Sequence, residues 1–105
     1  MAMTPEGRIK AKLDRMLKEE GAWFFSPQAG PYGRSGIPDR IGCVLGRMFA
    51  VECKADRTKK PTRLQQQAMQ QLAGAGAVVF LVYDEAGVDN VRTWVRAQKV
   101  MNARS

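Results

Sequence analysis

Apolar positions along the chain switch between two periods, and each switch marks an element. Thr4-Pro5-Glu6 reads as a helix start, with Thr as N-cap, Pro in the first turn and an acidic residue behind it. Ile9, Leu13, Met16 and Leu17 follow at helical spacing, and Gly21 ends the run. Trp23-Phe24-Phe25 predicts a short strand, and Ser26–Gly36, rich in Gly, Pro and Ser, predicts a long loop. Ile41–Leu45 and Met48–Lys54 are strand-like and close enough to form a hairpin about Gly46-Arg47. After a charged loop, Ala55–Lys60, Pro61-Thr62 opens a second helix with Leu64, Ala68, Met69 and Leu72 on one face. Ala77–Tyr83 is a Val-rich run that predicts a strand buried on both faces. Asp84–Gly87 reads as a turn. Val88, Val91, Trp94 and Val95 mark a last amphipathic helix, and the tail beyond it is expected to fray. The order is α-β-β-β-α-β-α.

The polar exceptions inside this pattern are Asp39, Glu52 and Lys54. Side chains alternate along a strand, so Glu52 and Lys54 share a face. A hairpin symmetric about Gly46-Arg47 sets Asp39 opposite Lys54 and Ile41 opposite Glu52, which puts Asp39 on that same face. Two carboxylates so placed can converge on one hard cation. A turn of odd length would send Asp39 to the other face. By spacing alone the group also fits a solvated strand end carrying a Glu–Lys pair. Phe49, Val51 and Cys53 occupy the opposite, core-like face.

The chain has 105 residues and a formal net charge of +7, with 45% hydrophobic residues, which suits one small domain rather than a disordered basic tail. The positive balance favours a polyanionic partner, most simply nucleic acid. There is no His, so Ser-His-Asp and Cys-His nucleophiles, a His general base and His-ligated zinc are excluded within one chain. Two cysteines are too few for a disulfide scaffold. Cys43 and Cys53 are expected as small buried residues, and Trp23 and Trp94 as core anchors. The N-terminus has no apolar stretch of signal-peptide type, and no run approaches the roughly 18 residues of a membrane span. A cytoplasmic protein is therefore expected.

Gly36-Ile37-Pro38-Asp39 followed by Val51-Glu52-Cys53-Lys54 resembles the PD-(D/E)xK nuclease signature. With Thr4-Pro5-Glu6-Gly7, Gly33-Arg34-Ser35, Phe49-Ala50 and Pro61-Thr62-Arg63-Leu64-Gln65, the chain resembles a stand-alone VRR-NUC domain of the phage and bacterial type. The likeness runs from about Thr4 to Val95. It implies a restriction-endonuclease-like α/β core with a mixed central sheet, one nuclease domain over 1–105 with its core at about 4–95, and residues 96–105 as helix end and tail.

The resemblance also implies roles. Asp39 and Glu52 would bind Mg²⁺ or Mn²⁺, with the backbone carbonyl of Cys53 and with Glu6, directly or through a water. Oxygen-only donors suit these ions better than zinc. Lys54 would hold the attacking water and offset charge on the phosphate. Glu6 matches the family's N-terminal glutamate, although a first-turn Glu also serves the helix dipole. Gln65 matches a family glutamine, although it opens a run of three. Tyr32, Arg34 and Ser35 in the long loop, and Arg57, Lys59, Lys60 and Arg63 beyond Lys54, are candidates for DNA contact. The expected activity is a metal-dependent DNA endonuclease working as a homodimer on branched DNA such as Holliday junctions, in the host cytoplasm if phage-encoded. The alternatives are a nuclease for flaps, nicks or duplex ends, and a catalytically silent basic DNA-binding module on the same fold.

Overall fold

The computed structural model describes residues 3–28 and 33–104. Helix α1 (Pro5–Glu19) begins as expected, with the Thr4 hydroxyl accepting the Gly7 N–H at 3.0 Å. Strands β1 (Trp23–Phe25), β2 (Arg40–Val44) and β3 (Arg47–Cys53) follow, then helix α2 (Arg63–Gly74), strand β4 (Val78–Val82) and helix α3 (Glu85–Ala103). The sheet order is β1-β2-β3-β4, antiparallel except for the parallel β3–β4 pair. The sheet is therefore mixed, with α2 forming the connection that a parallel pair requires.

Alternation along β3 sorts the layers. Phe49, Val51 and Cys53 point into a core made with Ile9, Leu13, Met16 and Leu17 of α1 and Val88, Val91 and Val95 of α3. Trp94 closes this core by packing edge-on to both Phe49 and Phe80, at 5.7 Å between ring centroids in each case. Ala50 and Glu52 point to the other face, where α2 lies: Ile41 of β2 lines a hollow with Ala68 and Leu72 of α2.

The hairpin turns one residue earlier than expected. Leu45 and Gly46 both have positive φ, 49° and 81°, the requirement of a two-residue type I′ turn. The register consequently pairs Ile41 with Ala50 and Arg40 with Val51. One step further along, Asp39 comes opposite Glu52 rather than Lys54, and Ile41 is not opposite Glu52. The slip is of two positions, so every side chain keeps the face expected for it.

Other expectations are corrected. Strand β4 is an edge strand, and Val78 to Leu81 are only half-buried. Asp84 is the N-cap of α3 rather than part of a free turn, and α3 runs on to Ala103. Leu64 is exposed, so the inward face of α2 is Ala68 with Met69 and Leu72. Trp23 is 67% exposed and Cys43 is exposed. Both stand on the α2 face, but out towards the β1 edge, where Trp23, Cys43 and Met48 lie side by side.

Candidate active site

Asp39 and Glu52 meet where β2 begins and β3 ends, and their backbones lock the pair. Asp39 N–H donates to Glu52 Oε1 at 3.2 Å, and Cys53 N–H donates to Asp39 Oδ2 at 2.8 Å. Each carboxylate is thus oriented by the other strand. Pro38, fully buried, limits the backbone just before Asp39. Gly36 explains the start of the motif: its φ is +79°, and a Cβ there would stand 2.5 Å from the Leu64 carbonyl and 2.9 Å from Gln65 N. Only a glycine lets this segment press against the first turn of α2.

Lys54 and Gln65 join from that side. Lys54 Nζ lies 3.2 Å from Glu52 Oε2 and donates to Gln65 Oε1 at 2.8 Å. The same Gln65 oxygen accepts Thr62 N–H at 2.8 Å, while Gln65 N–H donates to Thr62 Oγ1 at 3.2 Å. Gln65 is therefore the capping-box residue of α2, and its amide carries Lys54 as well. Glu6 approaches from α1 through Lys10, whose Nζ is 3.0 Å from Glu6 Oε2 and 3.3 Å from Asp39 Oδ1.

The electrostatics follow from this geometry. Glu52 is 2% exposed, and burial, then the charge of Asp39, push its pKa up to about 7 against the pull of Lys54. Burial would lower the pKa of Lys10, but Glu6 and Asp39 together raise it. Burial, helped by Asp39, pushes the Cys53 thiol up to about 12, and its side chain faces the apolar core, so it is inert at neutral pH. Among the described residues no three carboxylate, Cys or His groups stand close enough to hold an ion as they lie. Asp39 and Glu52 still converge, with Glu6 reached through Lys10. A residue in extended backbone sends its N–H and C=O to the same side, so the Cys53 carbonyl faces the Asp39 side. The next amide, Lys54 N–H, turns away to Val82 O at 2.9 Å. The donor set is all oxygen and suits a hard cation.

The expected DNA-contact residues divide. Tyr32 lies outside the described residues. Arg34 donates to Gln71 Oε1 on α2, and Ser35 lines a hollow with Arg34, Leu64 and Gln67. Arg57 stacks on Tyr83 at 5.1 Å and pairs with Asp84 at 3.6 Å, so its charge is partly engaged. Lys59, Lys60 and Arg63 are exposed where the chain enters α2, next to the turn that holds Lys54.

Sequence reasoning missed Lys10, Thr62 and Arg40. Lys10 carried a local signal, being four residues after Glu6 on one helix. Arg40 carried none: it forks onto Asp14 of α1 at 2.7 and 2.9 Å and donates to the Asp39 carbonyl at 2.7 Å, which ties the start of β2 to α1.

A solved structure described as a "VRR_NUC domain" superposes with a TM-score of 0.74 at 29% identity, covering 85% of this chain and 95% of its own length. No family model and no curated protein matches the chain.

Proposed function

We propose that this chain, a VRR-NUC domain by its structural likeness, is a metal-dependent DNA endonuclease that hydrolyses phosphodiester bonds at Asp39, Glu52 and Lys54. The observation that carries the reading is the mutual bracing of Asp39 and Glu52 through backbone amides, with Lys54 held against Glu52. A buried carboxyl raised towards neutrality beside a second carboxylate costs stability, and a solvated binding surface needs no such pair. This disfavours the silent DNA-binding module.

Asp39 and Glu52, with the Cys53 carbonyl and Glu6 directly or through water, would hold Mg²⁺ or Mn²⁺. When bound, such an ion supplies an activated water and offsets charge on the phosphate. Lys54 holds the attacking water and places a positive charge where negative charge builds. Gln65 orients Lys54 and fixes it to α2. Lys59, Lys60 and Arg63 guide the phosphate backbone; Tyr32 and Ser35, ahead of Asp39 in the sequence, add contacts to DNA, and Arg34 and Arg57 do so only on giving up Gln71 and Asp84.

We assign branched DNA, Holliday junctions among it, as the substrate, and a homodimer as the working form, in the cytoplasm. A pair of sites suits symmetric cutting. Support for a second copy comes from β1, an edge strand whose Trp23 and Phe25 are exposed, as are Leu45 and Met48 of the neighbouring hairpin. Among the described residues no helix is long and apolar enough to cross a membrane.

The test is cleavage of labelled junctions, flaps, duplexes and single strands with Mg²⁺ or Mn²⁺. Asp39→Ala and Glu52→Ala should each abolish cutting and keep DNA binding, and Lys54→Ala should cost on the order of 10²–10³ in rate. Wild-type rates in all three variants would overturn the reading.

A further inference from the structure

Of the two ammonium groups at the site, Lys54 directly follows β3, the strand that carries Glu52, and is anchored on α2. Lys10 is placed differently. Its Nζ joins carboxylates from two elements, Glu6 on α1 at 3.0 Å and Asp39 at the start of β2 at 3.3 Å. Asp39 Oδ2 is committed to the Cys53 amide, so Oδ1 is the oxygen left to face an incoming ion, and Lys10 holds it. Glu52 is already shared between Asp39 N–H and Lys54. The Lys10 side chain is 28% exposed and stands on a long flexible stem. It can let go of Asp39 and stay paired with Glu6, its neighbour one turn back on the same helix.

We propose that Lys10 is an exchangeable counter-ion built into the fold, a positioning residue that occupies the cation's place between Glu6 and Asp39 and yields it when a divalent ion binds. The inference rests on the nuclease reading, because it takes Asp39 to be a metal ligand. Two consequences follow. Lys10 weakens ion binding, since an entering dication must displace a charge of the same sign. It also makes the ion-free site less repulsive to phosphate, because Glu6, Asp39 and Glu52 would otherwise present their charge against only Lys54 and the Arg40 guanidinium beside Asp39.

The test compares wild type with Lys10→Met, which keeps the apolar stem without the charge, Lys10→Gln and Lys10→Arg. Mn²⁺ binding is measured without DNA by electron paramagnetic resonance and calorimetry, with circular dichroism to check folding. Lys10→Met and Lys10→Gln should bind Mn²⁺ on the order of tenfold more tightly than wild type, and Lys10→Arg should stay near wild type. Binding of a labelled DNA junction without metal should weaken in Lys10→Met and recover on addition of Ca²⁺. Folded Met and Gln variants that bind Mn²⁺ no more tightly than wild type would overturn the proposal. Asp39→Asn separates the two failures. Mn²⁺ binding in wild type that Asp39→Asn does not weaken would sink the metal-site reading, and the inference with it. Binding that depends on Asp39 but ignores Lys10 would sink the inference alone.

Discussion

Glu52 shows at the scale of one residue what a site of this kind costs. Its carboxyl is buried against Asp39 and titrates near 7, where the unfolded chain releases the proton near 4.5. Between those values the folded protein binds a proton that the unfolded chain does not, so this group lowers stability as pH rises from about 4.5 to about 7, and the loss is complete above that. Glu52→Gln removes the titration while keeping the shape. In urea melts without divalent ions it should gain little over wild type at pH 5 and become clearly more stable than wild type at pH 8. A gap that does not change with pH would show that Glu52 does not titrate as argued. The motif made Glu52 and Asp39 visible in the sequence, but not this cost, which comes from the depth of the strand end and the charge placed opposite it.

Among the elements, α3 shows how a distant pair extends a helix. The apolar spacing stops at Val95, and a reading by periodicity ends the ordered helix soon after. Arg96 and Lys99 lie on the next turn, and both reach Glu20 at the end of α1: Arg96 Nε and Nη2 at 3.0–3.1 Å, Lys99 at 3.2 Å. The helix is therefore held well past its apolar stripe. Hydrogen bonding from Arg96, reinforced by Lys99 against a burial effect that opposes it, keeps the Glu20 carboxyl below its ordinary range. A carboxylate lowered in this way adds stability above its unfolded value of 4.5 and loses it as pH falls through the folded value. Glu20→Gln should lower the melting temperature at pH 7, less so in high salt because Arg96 and Lys99, the partners of the largely covered Glu20, are exposed. Its difference from wild type should vanish in acid. An equal deficit at pH 3 and pH 7 would show that the contact acts through packing rather than charge.

Over the whole molecule, the basic surface is smaller than a count of residues suggests. Arg34 is spent on Gln71, and Arg57 on Tyr83 and Asp84, which leaves Lys59, Lys60 and Arg63 exposed near the site. Three phosphate contacts per protomer give a slope of log K against log[salt] of about −3, doubled for a dimer that engages both halves. Replacing Lys59 and Lys60 by Ala should flatten it by about two units per protomer and weaken all DNA substrates alike. An unchanged slope in a binding series from low to high salt would place the DNA path elsewhere.

The sequence by itself determined what depends on neighbours along the chain. The Thr4 cap, the inward stripe of α1 and the order of elements are local, and so is the face shared by Glu52 and Lys54, which Asp39 joins when the hairpin loop has an even number of residues. That face survived a wrong turn because a slip of two positions preserves the alternation of a strand. Tertiary structure decided what depends on elements meeting. The register made Glu52, not Lys54, the partner of Asp39. Packing of α1 brought Lys10 onto Asp39, and the first turn of α2 gave Gln65 two bonds through one oxygen. Trp23 and Cys43 read as core residues because residues of their types are usually buried, although alternation puts Cys43 on the face of Asp39. Whether another element covers that face is a property of the packed layers, and α2 stops short of the β1 edge.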